Sequence, residues 1–137
     1  MYAFEYKRPA SVADAKAAVS GDARYLAGGQ SLIQAMKLRL SSSETLVDLG
    51  GIKDLQTIRM DGANLVIGAM VTHAAVGASA DVKRACPALA ELAAGIGDPM
   101  VRNMGTIGGS IANADPAACY PAGLVGLGAT VHTNQRT

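Results

Sequence analysis

Cysteine and histidine are almost absent: Cys86, Cys119, His73 and His132 are the whole set in 137 residues. There is no C-x-x-C pair. A four-cysteine iron–sulfur cluster or a structural zinc site cannot be assembled from this set within one chain, so no metal site is expected. With no secretory leader in view, the two cysteines are expected as free thiols. Any redox chemistry then has to come from a bound organic cofactor. Net charge is +1, with no run of Lys or Arg, which excludes a surface built to neutralise a nucleic-acid backbone. Apolar stretches are broken by Gly or charge before membrane-spanning length, so no membrane span is expected. The start, Met1-Tyr2-Ala3-Phe4-Glu5-Tyr6-Lys7-Arg8, lacks an apolar h-region, and a cytoplasmic location is expected. No Gly-Lys-[Ser/Thr] occurs, which excludes a P-loop. No residue stands out as an acid–base catalyst, and none is assigned as catalytic.

What is present is a chain 50% hydrophobic and 17% charged, enough for one core. Its glycines are concentrated. Four of them fall within residues 97–109, in the stretch Gly97-Asp98-Pro99-Met100-Val101-Arg102-Asn103-Met104-Gly105-Thr106-Ile107-Gly108-Gly109. A shorter stretch, Ala27-Gly28-Gly29-Gln30-Ser31, echoes it, and each holds a Gly-Gly pair followed closely by serine. Glycine reaches positive φ and allows close backbone approach to a ligand. Successive N–H groups in such turns converge on anions. Two of these turns suggest a ligand with more than one phosphate, held between two lobes.

In chain order, Tyr2, Phe4 and Tyr6 alternate with Ala3, Glu5 and Lys7, the period of a half-buried strand ended by Pro9. Ser11 is placed to cap a helix reaching Val19, with Asp14 in its first turn. A strand over residues 23–27 runs straight into Gly28-Gly29. Ser31 opens a second helix, with Leu32, Ala35, Met36 and Leu40 on one face. Residues 45–49 form a short β run. Residues 1–50 thus read as β-α-β-α-β, a small open sheet with right-handed crossovers. Beyond Gly51, residues 55–60 and 64–69 flank Asp61-Gly62, a hairpin signal. Thr72 can cap a helix from His73 to about Ala80. A further helix holds Ala88, Leu89, Leu92 and Ala93, with Pro87 near its start and Gly95 after its end. A helical turn at residues 121–125 and a β run over 129–133 complete the pattern.

Each motif also has a plainer reading. Gly28-Gly29-Gln30-Ser31, between strand and helix, puts backbone N–H groups and a helix start at one point, an anion site, with Ser31 adding a hydroxyl. It equally fits a tight turn with a helix cap. Thr106-Ile107-Gly108-Gly109-Ser110 offers two hydroxyls and a run of amides. Asn113 and Asp115 follow; they reach a ribose or fix the loop, and Asp115-Pro116 is also a turn opener. Neither loop contains lysine, so phosphate charge would be met mainly by backbone dipoles. Arg102 is placed to pair with Asp98 or to face a partner. His73 reads as a structural histidine rather than a base. Met36, Met100 and Met104 read as core fillers.

Ala27-Gly28-Gly29-Gln30-Ser31, Gly97-Asp98-Pro99, Arg102-Asn103-Met104-Gly105-Thr106-Ile107-Gly108-Gly109-Ser110 and Ala112-Asn113-Ala114-Asp115-Pro116 together resemble the FAD-binding medium subunit of molybdenum hydroxylases. The resemblance implies an α+β fold, the two-lobed FAD-binding domain of the PCMH type. Its first lobe is expected over residues 1–50 and its second, incomplete, over 51–137, with the family's C-terminal domain absent. It implies FAD as cofactor, with Ala27, Gly28, Gly29, Gln30 and Ser31 and Thr106, Ile107, Gly108, Gly109 and Ser110 around the pyrophosphate. Asn113, Asp115 and Cys119 join them, Cys119 standing where the family's pattern has an aspartate that contacts the cofactor. The implied partners are a molybdopterin-binding large subunit and a 2Fe-2S small subunit. Electrons would pass from the clusters through FAD to an external acceptor. The incomplete second lobe and Cys119 leave an alternative: a truncated structural or assembly module that docks to partner subunits without holding FAD.

Overall fold

The computed structural model describes residues 1–136. Its first sheet has three parallel strands, β1 (Glu5–Lys7), β2 (Ala23–Leu26) and β3 (Thr45–Asp48), in the order β1-β3-β2. The central position of β3 explains why Leu46 and Val47 are fully buried. Helix α1 (Val12–Ala18) joins β1 to β2, and α2 (Leu32–Lys37) joins β2 to β3. The Ser11 hydroxyl accepts from the Asp14 amide, capping α1 as its sequence requires. Ala15, Val47 and Ile52 form the core beneath this sheet, with Leu49 and Leu55 packed against it.

The first strand is shorter than the aromatic alternation predicts. Pairing starts at Glu5↔Thr45, so Tyr2 and Phe4 lie outside the ladder. Tyr2 and Tyr6 are exposed. The Tyr6 hydroxyl donates to Asp48, and the Arg39 guanidinium lies 5.4 Å from the Tyr2 ring centroid. Leu40 also departs from expectation: α2 ends before it, and it is exposed.

Two 3-10 turns, Leu49–Gly51 and Lys53–Gln56, lead to the antiparallel hairpin β4 (Ile58–Asp61) and β5 (Asn64–Ile67) around Asp61-Gly62. Residues 55 and 56, expected in the strand, belong to the second turn instead. Leu55 O and Thr57 O accept from Met70 and Gly68, tying the turn to the chain beyond β5. Helices α3 (His73–Ala78), α4 (Ala80–Ala85) and α5 (Pro87–Ala94) follow. Thr72 caps α3 as expected. The predicted run to Ala80 breaks at Ser79, which turns extended and caps α4 through the Val82 amide.

The second glycine stretch is mostly helical, in α6 (Pro99–Met104) and α7 (Ile107–Asn113), and α8 (Cys119–Gly126) follows it. Val71, Val76, Val82, Leu89, Ala90, Ala93, Ile107 and Tyr120 form the larger core. Met36 fills the interior as expected, but Met100 and Met104 project outward from α6 and are exposed. Residues 129–133 form no strand; a turn closed by Thr133 and Arg136 follows, and no described strand lies alongside. Cys86 and Cys119 are free thiols. Among the described residues, no helix is long and apolar enough to cross a membrane.

Candidate functional site

Strand β2 ends at Leu26, and the chain turns at once through Ala27, Gly28 and Gly29. Gly29 has φ +71°, which favours glycine. Gly28 is required for a different reason: a Cβ there would overlap the Met104 carbonyl oxygen and stand 2.7 Å from Gly105 Cα. The first glycine turn is therefore seated on the backbone between α6 and α7. Gly109 completes the contact, since a Cβ on it would meet Ala27 Cβ at 3.1 Å. The two glycine motifs, far apart in the chain, touch.

Their N–H groups have different fates. Among the described residues, the amides of Ala27, Gly28, Gly29, Gln30 and Ser31 donate to no protein acceptor. The Gln30 side chain folds back to donate to Gly28 O at 3.2 Å. Ser31 precedes α2 without capping it, so its hydroxyl is also unused. The second motif is largely spent on the fold. Gly105 N donates to Val101 O, Ile107 N to Val71 O, Gly108 N to Ala69 O, and Ser110 N to Thr106 O. Gly109 N donates to the Thr106 hydroxyl oxygen, which caps α7. Only Thr106 keeps an unpaired amide in this segment among the described residues. The expectation that amides of both turns converge on an anion therefore holds for the free amides of the first turn, while most of the second turn's amides are engaged within the fold. The first turn supplies N–H groups; the second supplies the hydroxyls of Thr106 and Ser110 and the surface against which the first is held.

Between them lies a cleft of about 580 Å³. Ala27, Gly28, Gly29, Gln30, Ser31, Thr106, Gly108, Gly109, Ser110, Asn113 and Asp115 all line it. Two expected residues do not. The Ile107 side chain is buried in the larger core, and Cys119 is exposed at the start of α8, outside the lining. Asp115 also acts as the turn opener, accepting from Ala117 N at 2.9 Å. Asp98 does not pair with Arg102. It caps α6 through Val101 N, while Arg102 donates to Gly97 O at 2.9 Å and Ile96 O at 3.2 Å.

Among the described residues, no Lys or Arg lines the cleft, and Asp115 is the one side-chain carboxylate in its lining. A smaller cavity of about 380 Å³ shares Ala27, Gly28 and Gly29 as a wall. Arg8 lines it, but its guanidinium is engaged by Asp48 at 3.3 Å and Gly50 O at 3.2 Å. An anion in the main cleft would be met by neutral dipoles: peptide N–H groups and hydroxyls, which suits a diphosphate held in place.

Two polar side chains of the lining, Tyr25 and His73, lie outside the motifs. Tyr25 is in β2, two positions before the turn begins at Ala27, and lines the cleft. His73 lines the cleft as well, although it is only 5% exposed, and burial lowers its pKa below the usual imidazole value. No local pattern distinguishes it, because its place in the wall depends on contacts with Gly105 and Tyr120.

Residues 2–137 match the family described as the FAD binding domain in molybdopterin dehydrogenase. The chain belongs to that family. It is 49% identical to the carbon monoxide dehydrogenase medium chain of Afipia carboxidovorans over 92% of its own length and 45% of the relative's. The fold agrees with that of carbon monoxide dehydrogenase from Hydrogenophaga pseudoflava, with a TM-score of 0.85, 47% identity, and coverage of 87% of this chain and 42% of that one. Quinoline 2-oxidoreductase from Pseudomonas putida 86 gives a TM-score of 0.84 at 39% identity, covering 88% of this chain and 43% of that one. The chain spans less than half the length of these relatives. The α+β FAD-binding fold implied by the motifs is the fold observed.

Proposed function

We propose that this chain holds FAD in the medium subunit of a molybdenum hydroxylase. The observation that carries this is the set of unpaired amides at residues 27–31, opening on a cleft whose opposite wall carries the Thr106 and Ser110 hydroxyls. Unpaired amides on residues that line a cleft with no Lys or Arg among its described lining suit a diphosphate. Gln30, bonded to Gly28 O, fixes the turn in that presentation. Ala27 through Ser31, with Thr106, Gly108, Gly109 and Ser110, would hold the pyrophosphate, and Asn113 and Asp115 the adjoining sugar. Ile107 and Cys119 contribute through the fold only.

FAD, when bound, supplies the electron-carrying chemistry. The chain's own task is to bind, orient and exclude water. The whole protein then receives electrons from the clusters of a 2Fe-2S small subunit and passes them to an external acceptor. Substrate is oxidised on a molybdopterin-binding large subunit. The named relatives are carbon monoxide dehydrogenases and a quinoline 2-oxidoreductase. A module that docks without FAD has no use for unpaired amides facing a cleft, which favours the cofactor-holding reading.

The test is to co-express the full gene product with its partner subunits, purify the complex, record its visible spectrum and extract the cofactor. A flavin spectrum with one FAD per chain is expected. A colourless complex that also fails to take up added FAD contradicts the proposal.

A further inference from the structure

Aromatic side chains are scarce, four Tyr and one Phe with no Trp, and the fold engages most of them. Tyr120 is buried in the larger core. The Tyr6 hydroxyl donates to Asp48, and the Tyr2 ring lies against the Arg39 guanidinium. Tyr25 is different. It is 47% exposed, and the surface it exposes lines the cleft of about 580 Å³. Its ring belongs to neither hydrophobic core, and its hydroxyl makes no hydrogen bond among the described residues.

The sheet register fixes where this ring sits. Tyr25 pairs with Val47 and Leu26 with Asp48, so Ala27 and Leu49 are the next residues to leave the two strands, and both line the cleft. Leu32, in the first turn of α2, lines it too. A phenol face and two leucines thus stand next to the unpaired amides of residues 27–31. Two residues of chain span at most about 7 Å, so the ring lies one sugar's length from the amides. Single apolar side chains on an open surface are ordinary. A free aromatic face in a concave wall, beside amides that suit a diphosphate, is the arrangement that binds a nucleotide. FAD carries a planar ring system beyond each end of its diphosphate, and such rings stack on aromatic side chains.

We propose that Tyr25 is a cofactor-contacting residue on which one of the two ring systems of FAD stacks. This rests on the FAD reading above and extends it to a residue outside both glycine motifs. It divides the recognition: the amides of the first turn hold any diphosphate, and Tyr25 makes the site prefer a diphosphate that carries a ring.

The test uses the full-length gene product in its complex, stripped of FAD and titrated with FAD, with ADP and with inorganic pyrophosphate, as wild type and as Tyr25→Ala and Tyr25→Phe. Tyr25→Ala is expected to weaken FAD binding about tenfold, as removal of one stacked aromatic face does. Tyr25→Phe, which keeps the face, binds FAD like wild type. Pyrophosphate affinity is the same in all three. A matching loss for ADP places the adenine on Tyr25. A loss for FAD alone, with brighter flavin fluorescence in Tyr25→Ala, places the isoalloxazine there; either result supports the proposal. A folded Tyr25→Ala that binds FAD like wild type overturns it. So does a loss shared by pyrophosphate, because Tyr25 would then act through the turn and not through a ring. Failure of the wild type itself to take up FAD removes the underlying reading and this inference together; equal FAD binding by wild type and Tyr25→Ala removes this inference alone.

Discussion

Gly28 and Met104 are in backbone contact: the Gly28 Cα lies so close to the Met104 carbonyl oxygen that no Cβ fits between them. This one approach joins the turn after β2 to the end of α6 and thereby forms the cleft.

Gly28→Ala should force that contact open. Overpacking of this kind costs about 1–3 kcal/mol. Because the displaced segment carries the unpaired amides, FAD affinity should fall more than stability does. Thermal unfolding and an FAD titration on the same preparation separate the two effects.

Gly108→Ala places a Cβ 2.5 Å from Ala69 Cβ and 2.6 Å from Ala69 O, the acceptor of the Gly108 amide. A destabilisation of about 1–3 kcal/mol is expected from this clash. Gly126→Ala is the control. It lies at the end of α8 with nothing within 4 Å of its Cβ position. Gly-to-Ala in a helix without strain should stabilise by about 0.4–1 kcal/mol. Denaturant midpoints for the two variants should shift in opposite directions.

Thr106 and Ser110 separate structural from binding roles within one motif. Thr106→Ala removes the α7 cap, at a cost of about 1 kcal/mol, and also a cleft hydroxyl. Ser110 makes no side-chain bond among the described residues, yet it lines the cleft. Ser110→Ala should weaken FAD binding while leaving the unfolding midpoint in place. Equal losses of stability in both variants would argue against the division.

His73 predicts an acid-sensitive apoprotein. Its folded pKa is lowered by burial, so below about pH 6.5 the unfolded chain takes up a proton that the folded chain resists. The contribution is complete above that value and is lost as pH falls toward the lowered folded pKa. Urea unfolding at pH 7.5 and pH 5.5 should show wild type losing stability, with a smaller loss in His73→Gln. Identical pH dependence in the two proteins would contradict the assignment.

Much of this architecture is legible in local sequence because its causes are local. Ser11 and Thr72 cap helices through amides three residues on, and Asp61-Gly62 turns a hairpin whose strands are adjacent. The two glycine motifs announce a shared site because only close backbone approach explains their composition. What escapes the sequence depends on distant partners. The acceptors that engage Ile107 N and Gly108 N are Val71 O and Ala69 O, and no spacing within the motif reveals them. Met100 and Met104 have the composition of core residues, but α6 turns them outward. Residues 129–133 have β propensity without a described strand to pair with. His73 enters the cleft wall only because Gly105 leaves room for it.

The most direct measurement is a ¹H–¹⁵N correlation spectrum of the protein titrated with FAD. The amides of Ala27, Gly28, Gly29, Gln30 and Ser31 should move strongly, while those of Ile107 and Gly108 stay protected from exchange before and after binding. Bound FAD that leaves the five first-turn amides unmoved would contradict the account.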